Sequence, residues 1–344
     1  MIKRYGKSLV DILSIKSNFI SENDAYMARE QIVSNEYRKQ RTRKACKLCS
    51  TELPDEILFL SHGTGYKECS MCTHLNGEHE DTQEFAQWAY VSEDYGDLDY
   101  YEHCKEKFID RISAIYKPKV SFLLDSLETL GENVRELKFL DFGAGSGYMI
   151  QAYKQMGLNA SGVDLSKEQV EYANRILEEK LLSVISADAS IDYIRNADCE
   201  VISFISVLEH VTELRDTLNA LAENKSIRYV FFNVPLFSLT CILEIMNQDY
   251  WNRQLGAEHT HLFTKSSLSW MYNEYGFEPA AVWDFGAEVM DLMRFMILDL
   301  KKKNASQQLI TQVQQYFIQF GDDIQMAIDK SGFASETHVI MRKI

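Results

Sequence analysis

Three features of the sequence predict an α/β protein built on a largely parallel sheet. Short β-rich runs alternate with helical stretches from about residue 136, a glycine-rich turn closes the first of those runs, and a paired-cysteine module lies ahead of them. The runs are "LKFLDF", "LNASGVD", "LLSVISAD", "EVISFISV", "IRYVFFNV" and "FEPAAVWDF". Their alternation with helices is the pattern of a sheet covered on both faces. In "SKEQVEYANRILEEK", Val170, Ala173, Ile176 and Leu177 form one apolar helical face. Gly157 and Gly276 stand where helices are expected to stop. Residues 287–333 carry Leu309, Val313, Phe317 and Phe320 at helical spacing and read as a helical insertion. The final run, "THVIMRKI", is expected to return as a strand at the sheet edge.

Ahead of this main domain, 135–344, the chain divides into three parts. Residues 1–45 read as a polar helical segment, 46–77 as a cysteine ribbon, and 78–134 as a helical linker or lid rich in acidic residues and tyrosine. Tyr95, Tyr100 and Tyr101 are candidates to cover a pocket. The 344-residue chain is 46% hydrophobic, enough for a large core. Its net charge of −15 repels nucleic-acid backbones, so a nucleic-acid partner is not expected. The longest apolar region holds Asn233, Pro235 and Glu244, so no membrane span is expected. With seven cysteines and no export signal, the expected location is the cytoplasm.

"CKLC" and "CSMC" leave nineteen residues between Cys49 and Cys69. This fits a four-thiolate zinc site of Cys46, Cys49, Cys69 and Cys72. Four soft ligands leave no open position, so the zinc is expected to be structural. Cys104, Cys199 and Cys241 have no such partners in sequence and read as core residues.

In "FLDFGAGSGYMI", Gly143, Gly145 and Gly147 follow a strand and precede a helix. Such a turn presents backbone N–H groups and the positive end of the helix dipole to an anion. The dinucleotide fingerprint requires glycine at 148, where this chain has Tyr148. With Asp141 at the end of the first strand and Asp164 in "GVD" at the end of the second, the segment resembles the class I S-adenosylmethionine-dependent methyltransferases. "SAD" with Asp188 and "SVLEHV" at 206–211 extend the resemblance, as does "EHTHLFTKSSLSWMYNEYGFE". It covers roughly 136–285 plus "THVIMRKI" as the inserted last strand. It implies a Rossmann-like seven-stranded sheet and an S-adenosyl-L-methionine cofactor. The cofactor residues it implies are Asp141, Gly143, Gly145, Gly147, Asp164, Leu165, Asp188, Ala189 and Ser206, with Asp164 accepting from the ribose hydroxyls.

With its ribbon, the chain is similar to deoxysugar C-methyltransferases and related bacterial enzymes acting on small molecules, without the C-terminal domain of the sugar enzymes. The function implied is methyl transfer to a small-molecule acceptor, a saccharide or secondary-metabolite intermediate among the options. Two rivals stand beside it. Some ribosomal RNA methyltransferases carry a cysteine–zinc module, and "RKQRTRKACK" places six basic residues next to this one. A non-catalytic scaffold of the same fold is the other. Should the acceptor need to lose a proton, the candidates are His210 with Glu209 after the fourth strand, and His261 with His259 after the fifth. The helical insertion is the expected contact of a homodimer.

Overall fold

A computed structural model describes residues 1–15, 19–90, 105–256 and 259–344. Its strands, in chain order, are β1 (Ile2–Tyr5), β2 (Phe59–Ser61), β3 (Thr64–Glu68), β4 (Leu75–Gly77), β5 (Lys138–Phe142), β6 (Asn159–Asp164), β7 (Leu182–Val184), β8 (Val201–Ile205), β9 (Tyr229–Pro235), β10 (His261–Leu262), β11 (Phe277–Phe285) and β12 (Glu336–Lys343). Eight of them form one sheet in the order β1-β11-β12-β9-β8-β5-β6-β7, and the other four form an antiparallel sheet β10-β4-β3-β2. Within the large sheet, only the pairings of β12 with β11 and β9 are antiparallel.

The six runs read from the sequence are β5, β6, β7, β8, β9 and β11. Two details of the sheet differ from expectation. The run "THVIMRKI" does not lie at an edge, because β12 inserts between β9 and β11, the inserted place that the family resemblance implies. The edge is instead taken by β1, from a segment read as helical. Its four residues pair in parallel with Ala281–Asp284, and Arg4 lies over the Trp283 ring at 4.1 Å. Four residues are too few to show a period of two.

Strand alternation splits the apolar side chains between the two faces of the sheet. Phe139, Val201, Phe231 and Trp283 join the core on one face, while Leu140, Ile202, Val230 and Phe232 join the core on the other. Chain order reverses at β5 and β8, which lie side by side with their crossovers running outward in opposite directions. In open α/β sheets this reversal opens a crevice at the carboxyl ends of the strands.

Gly157 and Gly276 follow the helices Tyr148–Gln155 and Lys265–Glu274 with φ of +72° and +68°, the left-handed ending that glycine adopts without strain. The insertion consists of helices Glu288–Lys302 and Gln307–Lys330. No helix among the described residues is long and apolar enough to cross a membrane. Tyr95, Tyr100, Tyr101 and Cys104 lie outside the described residues.

Candidate active site and cysteine cluster

The loop after β5 is shaped by its three glycines, which have φ of +74°, +50° and +79°. Each is also crowded. A Cβ on Gly143 would sit 2.6 Å from Val207 Cγ2, one on Gly145 2.8 Å from Gln169 Oε1, and one on Gly147 3.0 Å from Ala173 Cβ. The alternate spacing therefore answers three neighbours: the turn after β8, and two positions of the helix Lys167–Leu177. Gly147 then opens the helix Tyr148–Gln155.

Asp164, at the end of β6, ties the loop to the neighbouring strand. One carboxylate oxygen accepts from Gly145 N–H at 2.7 Å, and the other from Ser166 N–H at 2.8 Å. Burial raises its carboxyl above the ordinary value against the pull of these bonds. Leu165 beside it is 40% exposed, a surface open to a ligand. Asp188 and Ala189 lie on a short 3₁₀ turn at the rim, where Asp188 accepts from Gln83 Nε2 at 3.2 Å.

Asp141 lies beneath the loop and accepts from Ser203 Oγ at 2.5 Å. Burial pushes it up to about 7, helped by the Asp164 charge and opposed by the Ser203 bond and Lys119. The hydroxyls of Tyr116 and Tyr153 also lie within its field.

Across the crevice, Ser206 leaves β8 with φ of +57°. Its N–H donates to Asn233 Oδ1 at 3.0 Å, and Asn233 Nδ2 donates to Glu336 Oε1 at 3.0 Å. This turn carries Glu209 and His210. Glu209 is buried, its Oε2 has no hydrogen-bond partner, and burial first and Glu336 second push its carboxyl up to about 8. His210 and His259 face each other with ring centroids 5.2 Å apart, and one ligand atom from each of Glu209, His210 and His259 lies within 4.8 Å of the others.

His261 is placed elsewhere. It sits on β10, paired with β4, fully buried, and its Nδ1 shares a 2.9 Å hydrogen bond with His74 Nε2. Burial and the nearby Lys47 charge hold this imidazole well below its ordinary value. Sequence reading did not single out Lys119, Asn233 or Glu336. Lys119 is buried and lowered to about 8 by burial, with Glu336 and Glu209 among the charges around it. In sequence it is one polar residue of an amphipathic helix, so no local signal marks it.

The four cysteines converge. Cys46 and Cys72 sulfurs are 3.6 Å apart, Cys49 and Cys69 3.4 Å, and Cys49 and Cys72 3.5 Å, with no disulfide. Tetrahedral thiolates about 2.3 Å from a zinc ion stand about 3.8 Å from one another, so the set fits that metal. Two similar turns build it. Ser50 N–H donates to Cys46 O at 2.9 Å and Thr73 N–H to Cys69 O at 2.9 Å, and Ser50 and Thr73 both have positive φ.

The family model described as "Methyltransferase domain" matches residues 110–282. The chain belongs to that family, and its sheet is that of the class I S-adenosylmethionine-dependent methyltransferases. Curated relatives include two proteins named ubiquinone biosynthesis O-methyltransferase from Actinobacillus pleuropneumoniae. They are the serotype 5b (strain L20) and serotype 7 (strain AP76) proteins, 29% and 28% identical over 97 residues. Each match covers 26% of this chain and only 42% of the relative's length. Similar solved structures include magnesium protoporphyrin IX methyltransferase from Synechocystis PCC 6803, at 13% identity and TM-score 0.42, covering 77% of this chain and 96% of that one. Geranyl diphosphate C-methyltransferase from Streptomyces coelicolor A3(2) has 14% identity and TM-score 0.40, covering 72% and 86%. The assignment rests on the family-model match.

Asp141 gives a pH-dependent expectation for the ligand-free protein. Its folded value, about 7, lies above that of an unfolded aspartate, so the native state holds the proton more tightly. Its stabilising contribution is complete below the unfolded value of about 4 and is lost as pH rises through about 7. Asp141→Asn keeps an acceptor for Ser203 and cannot ionise. The Tm of the variant is expected to rise relative to wild type between about pH 5 and about pH 8. A constant difference across that range would return Asp141 to ordinary carboxylate behaviour.

Proposed function

We propose that this protein transfers a methyl group from S-adenosylmethionine to a small-molecule acceptor. The observation that carries the reading is the juxtaposition, at the reversal of strand order, of the crowded glycine loop and Asp164 with the turn bearing Ser206, Glu209 and His210. The cofactor's methionine part lies along Gly143–Gly147 above Asp141, its ribose at Asp164, and its adenine by Leu165, Asp188 and Ala189. Ser206 closes the crevice from the β8 side. Methyl transfer from a sulfonium is an in-line displacement, so holding the acceptor against the methyl carbon in a dry site supplies most of the rate. Glu209 and His210 stand on the side of the crevice where the acceptor's reacting atom lies. His261, enclosed with His74, is left out of this role. The names of the curated relatives agree with a small-molecule acceptor.

The RNA reading loses its support at the basic run. Arg43 and Lys47 are buried and both paired with Asp81, Arg41 pairs with Glu80, and Lys39 with Glu36. The run is thereby largely neutralised by the chain's own carboxylates.

S-adenosylhomocysteine, the demethylated product, is expected to bind the wild-type protein in calorimetry. Asp164→Ala is expected to weaken it by about 1–3 kcal/mol through lost charge-assisted hydrogen bonds. Unchanged affinity would remove Asp164 from the site, and binding of NAD in its place would end the methyltransferase reading.

The cysteine cluster is read as one structural zinc site, with residues 46–77 as the module it folds. Elemental analysis is expected to return about one zinc per chain, and a Cys69→Ser, Cys72→Ser double variant to lose both the metal and the cooperative unfolding of the ribbon. Retention of zinc by that variant would place the metal elsewhere. The proposed location is the cytoplasm.

A second copy of the chain is the proposed partner of the insertion. The helix Gln307–Lys330 exposes Leu309, Tyr316 and Phe320 along one side. No charged residue occurs from Ala305 to Gly321 in a chain of net charge −15, so two copies meet there without like-charge repulsion. Sedimentation velocity is expected to show a dimer that Tyr316→Glu, Phe320→Glu dissociates. A monomeric wild type would remove the contact.

A further inference from the structure

We propose that Glu209, His210 and His259 form a second metal site, holding one divalent first-row transition-metal ion beside the acceptor. The inference rests on the methyltransferase reading for its purpose, and on three independent observations for its geometry. The first is convergence: one carboxylate oxygen and two imidazole nitrogens lie within 4.8 Å of one another, although they come from two segments about fifty residues apart in sequence. The second is the Glu209 carboxylate, 3% exposed with an oxygen that no protein group satisfies. A buried carboxylate oxygen without a partner is costly unless a cation or other donor meets it.

The third observation is how His259 is held. Its Nδ1 is 2.9 Å from the carbonyl oxygen of Gln254. An imidazole nitrogen facing a carbonyl must carry the proton, which leaves Nε2 as a lone-pair donor. Metal-binding histidines are commonly oriented in this way by a backbone carbonyl behind them.

That carbonyl belongs to a segment anchored from two sides. Glu244, fully buried, accepts from the N–H groups of Arg253 at 2.7 Å, Gln254 at 3.0 Å and Leu255 at 2.9 Å. From the ribbon, the Tyr66 hydroxyl accepts from Gly256 N–H at 2.9 Å and lies 3.0 Å from the His259 carbonyl oxygen. His259 is thus fixed by a strand of the cysteine module.

The donor set defines the ion. Two imidazoles and one carboxylate suit Mn²⁺, Fe²⁺, Co²⁺ or Zn²⁺, whereas Mg²⁺ and Ca²⁺ prefer all-oxygen cages. Three protein ligands leave open positions for an acceptor oxygen. A hydroxyl bound there loses its proton to water more readily. The oxygen then forms its bond to the methyl carbon as the carbon–sulfur bond breaks, and neutral S-adenosylhomocysteine departs. The acceptor class is therefore an oxygen-bearing small molecule, and the protein needs no strong base of its own.

Mn²⁺ is the probe, since it is paramagnetic and a poor match for four thiolates. Titrated into the full-length protein with its zinc and S-adenosylhomocysteine present, Mn²⁺ is expected to fill one site in electron paramagnetic resonance. Electron spin-echo modulation is expected to show nitrogen couplings from two imidazoles. Glu209→Gln and His259→Ala are each expected to weaken Mn²⁺ at least tenfold, while Glu213→Gln, a surface carboxylate change nearby, leaves it unaltered. No stoichiometric Mn²⁺ in wild type, or Mn²⁺ without nitrogen ligands, overturns the proposal even if the variants fail to fold. S-adenosylhomocysteine affinity is measured on the same samples. Its retention without a metal site defeats the metal alone, and its absence defeats the underlying methyltransferase reading.

Discussion

The close approach of two turns, made possible by the missing side chain at Gly143, is the constraint on which the crevice depends. Val207 fills the space a Cβ would need. The loop after β5 and the turn after β8 therefore meet without a gap, one carrying the three glycines and the other carrying Glu209 and His210. Asp164 secures the first loop from β6, and Asn233 secures the second from β9. Both anchors are hydrogen bonds from backbone N–H groups to side-chain oxygens of sheet residues. The sheet thereby sets the distance between the two halves of the site.

The ribbon is built into the body of the protein rather than hung from it. β10, from the segment between β9 and β11, completes the small sheet by pairing with β4. Cys46, Leu48 and Leu53 share one apolar core with Leu218, Leu221 and Tyr272 of the main domain. Beneath them, Arg43 and Lys47 enclose Asp81. Burial alone would raise the Asp81 carboxyl, but the two cations overcome it and hold it below its ordinary value. Buried charges survive only with such partners, so the triad locks one relative placement of its two segments. Through Tyr66 the same module reaches the His259 segment and so touches the wall of the crevice.

Buried carboxyl groups recur around the crevice, each with a different answer to the loss of water. Asp141 has one short bond to Ser203 and is raised, and Glu244 receives three backbone N–H groups yet is still pushed up to about 7 by burial and Asp291. Glu209 has an oxygen with no partner at all. The contrast sets two carboxyls that protein donors meet beside one with an oxygen that none meets.

The sequence by itself determined the parallel core, the glycine loop, Asp164 at its strand end and the pairing of the four cysteines. All of these depend on spacing within a short stretch, where backbone geometry leaves few choices. The edge strand β1 was not legible, because four residues show no period, and the internal position of β12 followed only from the family resemblance, because pairing partners are chosen across the whole sheet. His210 and His261 are both candidates in the sequence, one beside Glu209 at the end of the fourth strand and the other near His259 in the segment after the fifth. Only the tertiary structure separates them, by pairing β10 with a ribbon strand that encloses His261 against His74 while His210 meets His259. That pairing joins residues nearly two hundred positions apart, and contacts at such separation are governed by which surfaces the folded chain buries together.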